Sequence, residues 1–277
     1  MLSRLIRHEW KETWRIPVIS FIVILFLTLV CFICFRQMEP PADENSINAG
    51  AFVIMMLYCL IISCISMVVT IYIAIRFYRN LYTDEGYLMH TLPVTPRQLI
   101  LAKLLVAALW VFLLSMLALW AICCILLFGL PAMALVDMPV VISSLMEYFP
   151  QIFGMGPVAF LLFYVVLSLV SAFSSVLIAY AAVSLGQLFT KHKVMASVLC
   201  YIGFTMLIQT ISTLLMTPSL TRLVLSQDMV NTASGIPAYF GAYMREILLI
   251  SMAGSAICAV ISYILTEYIM RRQLNLD

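Results

Sequence analysis

Residues 16–35 read IPVISFIVILFLTLVCFICF, a stretch that carries no charged side chain. At about 1.5 Å per residue, a helix of that length spans roughly 30 Å, the hydrocarbon thickness of a bilayer. Five further uncharged apolar runs follow, at 51–75, 104–128, 157–185, 194–216 and 247–266. Backbone groups in lipid must find their hydrogen bonds within their own segment, so each run is expected to be a helix. The period-2 alternation that marks a membrane β-barrel is absent from all six. The fold class expected is an all-α polytopic membrane protein, a single domain over 1–277 with six transmembrane helices.

Composition excludes the alternatives. Of the 277 residues, 64% are hydrophobic and 10% charged, too few charges to coat a soluble fold of this length. The net charge of +2 is small and its Lys and Arg are dispersed, which leaves no concentrated basic face for a nucleic acid. The cysteines Cys31, Cys34, Cys59, Cys64, Cys123, Cys124, Cys200 and Cys258 all fall in or beside apolar runs and read as small hydrophobes. Cys31 and Cys34 have C-x-x-C spacing, but neither a βαβ pattern nor a nearby histidine accompanies them.

The flanking charges orient the chain. Assigning the segments between runs alternately to two sides places Arg4, Arg7, Lys11, Arg15, Arg76, Arg79, Arg97, Lys103, Lys191, Lys193, Arg271 and Arg272 together. Only Arg36, Arg222 and Arg245 fall on the other side. By the positive-inside rule both termini are expected in the cytoplasm. The first fifteen residues carry Leu2, Leu5, Ile6, Trp10 and Trp14 at helical spacing, with Arg4, Arg7, Lys11 and Glu12 on other faces. This pattern predicts an amphipathic helix along the inner membrane surface. Glu9 and Glu12 within it, and the lack of a small-residue cleavage site after the first run, argue against a removed signal peptide. The last external segment, 217–245, has apolar stretches interrupted by Gly235 and Pro237 and could dip partly into the membrane as a short re-entrant helix, which the sequence leaves open.

Within the spans, Ser168, Ala172, Ser175, Ala179, Ala182 and Gly186 place a small residue at steps of four and three along one stripe, a face another helix can approach closely. Ser251, Ser255, Cys258 and Ser262 in the sixth run repeat those steps and are a candidate mate. Ser63, Ser66, Thr70, Thr205, Gln209 and Thr210 are polar groups that could line a path for a large amphipathic solute, or could bond the preceding turn of their own helix. The histidines His8, His90 and His192 lie in separate segments, and no carboxylate sits in mid-span, which argues against an intramembrane enzyme or a metal centre. No G-x-x-x-x-G-K-[ST] run is present, so no catalytic, cofactor-binding or metal-ligating residue is assigned and uphill work needs a second polypeptide.

The longest inward stretch, 76–103, reads RFYRNLYTDEGYLMHTLPVTPRQLILAK. The second helix is expected to run on through Arg76, Tyr78, Arg79 and Tyr82 until Asp84, Glu85 and Gly86 break it. A short amphipathic turn, Tyr87 to Leu92, follows and Pro93 stops it. Thr95, Pro96 and Gln98 then provide an N-cap, a first-turn proline and a capping-box partner for the next helix. Such a segment forms a rigid elbow that offers Tyr87, Leu88 and Leu92 to a partner's groove.

This stretch resembles the matching segment of bacterial ATP-binding-cassette (ABC) permeases of the type-2 exporter family. The residues that carry the resemblance are Tyr78, Arg79, Asp84, Glu85, Gly86, Tyr87, Leu88, Leu92, Pro93, Val94, Arg97 and Lys103; the rest of the chain fits that family's layout more loosely. The resemblance implies a permease in a bacterial plasma membrane that pairs with a second permease chain, identical or homologous, and docks two separate ATPase subunits. ATP and magnesium would then be held by those subunits and not by this chain. It also transfers an ATPase-coupling role to Asp84, Glu85, Gly86, Tyr87, Leu88, Leu92 and Pro93. The alternative is a non-transporting scaffold or sensor subunit that uses the same ATPase contact to regulate a neighbour.

Overall fold

The computed structural model describes residues 2–37, 49–82, 96–128, 143, 146, 147, 149, 150, 153–189, 192–229 and 236–272. Among them the main elements are α1 (Leu2–Thr13), α2 (Arg15–Arg36), α3 (Ala49–Tyr82), α4 (Pro96–Phe128), α5 (Pro157–Gly186), α6 (Lys193–Met229) and α7 (Ile236–Arg272), with no strand among the described residues. Helices α2 to α7 are each long and apolar enough to cross a membrane. The fold is the all-α polytopic bundle that the six uncharged runs require.

Local chemistry sets several of the ends. Between α1 and α2 the only break is at Trp14. Pro17 explains it, because a proline has no N–H to return to the Thr13 carbonyl and its ring crowds that turn. Regular bonding resumes at once with Val18 N donating to the Trp14 carbonyl at 3.0 Å. Helix α4 starts at Pro96, whose fixed φ suits a first helical position. Helix α3 continues past its apolar run to Tyr82.

The described part of the stretch 217–245 is divided between two long helices. Residues 217–229 prolong α6, and residues 236–245 form the first turns of α7. Extending an existing helix gains one hydrogen bond for each residue ordered, whereas a new short helix must pay for nucleation. Pro218 lies inside α6 without ending it, and the Thr217 hydroxyl beside it donates back to the Thr213 carbonyl at 2.8 Å. Pro237 falls in the first turn of α7, where its missing N–H costs nothing.

The core forms between α2, α3, α4 and α5, with Ile24, Tyr58, Val69, Phe77, Ile100 and Val176 among its buried members. A buried hydrogen bond at 2.8 Å between Thr28 Oγ1 and the Tyr58 hydroxyl joins α2 to α3. Helix α5 packs most extensively against α7, then α6, α4 and α3. Large side chains such as Ile22, Phe26, Leu162 and Leu207 point outward and are exposed. Water would make that coat an aggregation hazard; a bilayer is the solvent it matches.

Candidate functional site

Among the described residues, charged side chains from three helices converge at one place. On α1, Glu9 and Thr13 are one turn apart and both face inward, buried, with the Thr13 hydroxyl donating to the Glu9 carbonyl at 2.7 Å. Helix α3 brings Arg76 and helix α4 brings Lys103 to the same point. Lys103 Nζ donates to Glu9 Oε1, and Arg76 Nη2 donates to Glu9 Oε2 at 3.1 Å. The same Arg76 nitrogen also donates to Glu12 Oε2, while His8 Nε2 lies 3.6 Å from Glu12 Oε1. Glu9 therefore gives one oxygen to each of two spans and fixes α1, α3 and α4 together.

Burial decides the weight of these contacts. Glu9 is 6% exposed and Lys103 4%. An ion pair this deep costs heavily to desolvate, and losing one partner strands the other charge, at about 3–5 kcal/mol. Around the pair the contacts are aromatic. Trp10 stacks on Trp110 of α4 with centroids 4.5 Å apart, and Phe21 of α2 meets the same indole edge-on at 6.2 Å. Behind the cluster Phe77 stacks on Tyr180 of α5 at 3.8 Å, and the Tyr82 hydroxyl bonds Ser184 Oγ at 2.9 Å. The Nε of Arg76 and the indole nitrogen of Trp110 are buried without a hydrogen-bond partner.

Helix α1 thus turns a polar face to the bundle. The expectation of a helix along the membrane surface rested on its apolar face, and Trp10 and Trp14 of that face are exposed. The inward face, Glu9 and Thr13, was not recognised from the sequence. In the sequence Glu9 argues against a signal peptide, Arg76 marks side and helix extension, and Lys103 marks side and carries part of the resemblance; none of the three signals an inward cluster. The available signal was a carboxylate and a hydroxyl four residues apart on a helix otherwise rich in Lys and Arg.

The coupling residues Asp84, Glu85, Gly86, Tyr87, Leu88, Leu92 and Pro93 lie outside the described residues. Their flanks are described. Arg76 precedes the end of α3, and Lys103 follows the start of α4, by about two helical turns each. The segment between these helices therefore emerges from the part of the bundle that Glu9 ties together.

On α5, Ser168, Ala172, Ala179, Ala182 and Gly186 are buried and Ser175 is half-buried. The stripe ends in the closest helix approach of the bundle's described glycines: a Cβ on Gly186 would fall 2.6 Å from the Ser197 Cα of α6. The residues Ser251, Ser255, Cys258 and Ser262 are half-buried on α7, the helix with which α5 packs most. The other polar group does not converge. Ser63, Ser66 and Thr70 lie on α3 and Thr205, Gln209 and Thr210 on α6, two helices that do not pack on each other extensively. The hydroxyls of Thr70, Thr205 and Thr210 donate to the carbonyls of Ser66, Tyr201 and Met206 of their own helices, at 3.0, 3.0 and 2.8 Å.

All eight cysteines are free thiols. Among the described residues no cluster of His, Cys, Asp and Glu could hold a metal ion. The arrangement at Glu9 joins three helices through one carboxylate.

A family model described as ABC-2 family transporter protein matches residues 5–186, more than half of the chain. The matched stretch ends with the last residue of α5. Neither a curated protein nor a solved structure matches the chain.

Proposed function

The chain belongs to the ABC-2 family of transporter proteins, and from that membership we propose how it works. It is a multi-pass membrane permease component of an ABC transporter, and its family works with ABC ATPase components. The finer reading is an exporter permease of a bacterial plasma membrane with both termini in the cytoplasm. It forms the translocation path with a second permease chain, identical or homologous, and is driven by two separate ATPase subunits that hold the ATP and magnesium. Catalysis stays on those subunits.

One observation carries the reading: α3 and α4 run unbroken from their spans to the edges of segment 83–95, and Glu9 clamps both to α1 just before they leave the bundle. A push on Asp84 to Pro93 therefore reaches two spans and the N-terminal helix as one body. Packed helices of this kind respond by tilting or sliding as units. That motion would open a path between two permease chains, where the hydroxyl-bearing faces of α3 and α6, apart within one chain, could be brought together by the second copy.

The test is a pair of variants in the reconstituted complex, Gly86→Pro and Tyr87→Asp. Both should leave the chain inserted and the ATPase subunits hydrolysing ATP, while solute movement falls to background. Transport unchanged in both variants contradicts the coupling assignment.

A further inference from the structure

Outside the Glu9 cluster, the joint between α1 and α2 and the last turns of α3 enclose an open groove. Its charged lining is Lys11, Arg15, Arg76 and Arg79 against a single carboxylate, Glu12. Arg76 is already committed to Glu9 and Glu12, and it offsets the charge of Glu12. Lys11 and Arg15, both exposed, then add positive charge that no carboxylate among the lining residues balances. They stand about one helical turn apart, so their like charges repel unless an anion lies between them.

The remaining wall identifies the kind of anion. Tyr72 and Ile75 line the same groove. Ile75 is 52% exposed and continues one turn at a time into exposed Ile71 and Val68 along α3. The groove thus has a cationic mouth and an apolar track that leads from it down a membrane span. Trp14, between Lys11 and Arg15 in the chain, is exposed at the same level, where aromatic side chains mark the headgroup region. A free phosphate ion would use the mouth and leave the track empty.

We propose that this groove binds the phosphate of an anionic phospholipid, with Lys11 and Arg15 on the headgroup and the acyl chains along Tyr72 and Ile75. The site differs from the ATPase-coupling segment and does not depend on it. A basic side chain close to an anionic lipid surface contributes enough to change affinity about fivefold.

The test uses the full chain extracted from bilayers of equimolar phosphatidylcholine and phosphatidylglycerol, with retained lipid counted by native mass spectrometry. Wild type should keep phosphatidylglycerol in preference to phosphatidylcholine. Arg15→Gln should lower that preference about fivefold, and Lys11→Gln with Arg15→Gln by an order of magnitude or more. The control Lys193→Gln, on the first residue of α6, should leave it intact. The two groove side chains are exposed, so the thermal midpoint in phosphatidylcholine alone should not move; the single variant keeps the test open if the double folds poorly. Equal retention of the two lipids, or an unchanged preference in the Arg15→Gln variant, overturns the proposal. Displacement of the lipid by millimolar inorganic phosphate also overturns it, since it would make the ligand a soluble anion.

Discussion

The end of the bundle built by α1, α3 and α4 and the pair formed by α6 and α7 sit in the same protein but are held by different means. At the first, Glu9 buries a carboxylate between a lysine and an arginine from two spans, and indoles stack beside it. In the second, the hydroxyls of Thr205, Thr210, Thr213 and Thr217 turn back onto their own helix. Among the described residues a side-chain bond crosses between α6 and α7, from Ser219 Oγ to Glu246 Oε2 at 2.6 Å. Lipid supplies no hydrophobic drive between helices, so packing and polar bonds decide which of them stay together. A helix whose polar groups are satisfied internally is free to take another neighbour; one tied by a buried charge is not. This contrast fits a permease in which one region receives force and another meets a second chain.

Removing Glu9 should break the contrast most. Glu9→Ala strands the buried Lys103 and should cost about 3–5 kcal/mol, read as lower apparent stability in mild detergent and less inserted protein. Next comes the seam of α5 against α6. Gly186→Ala sets a methyl group against the Ser197 backbone, and overpacking of that kind should cost about 1–3 kcal/mol; a loss within error would mean the helices part easily there. The smallest effect belongs to the α6–α7 contact. Ser219→Ala removes one hydrogen bond to a carboxylate near the end of the pair, and the cost should be about 1 kcal/mol. If Ser219→Ala proved as damaging as Glu9→Ala, the two regions would not differ as described.

How much of this was legible in the sequence follows from what each signal depends on. Span number and type depend on local composition, and the uncharged runs at 16–35, 51–75 and 157–185 became α2, α3 and α5. Punctuation is also local: the start of α4 could be read from Pro96 and the extension of α3 from Tyr78 and Tyr82. The Glu9 cluster is not local. Arg76 is 67 residues from Glu9 and Lys103 is 94, and each alone looks like an ordinary interfacial charge. The positive-inside count used Arg76 and Lys103 as side markers, and a count of that kind carries no sign that both turn inward. In 217–245, residues 217–229 prolong α6 and Pro237 lies in the first turn of α7, helix bounds that Gly235 and Pro237 alone do not specify.

The central claim is that Glu9 and Lys103 are energetically coupled and hold α1 and α4 as one body. A double-mutant cycle measures this directly: the apparent unfolding free energy in mild detergent for wild type, Glu9→Ala, Lys103→Met and the double variant. The account predicts that the double variant loses less stability than the sum of the two single losses, by about 1–3 kcal/mol. Additive losses, agreeing within about 0.5 kcal/mol, would show that the two residues act independently and would contradict the clamp.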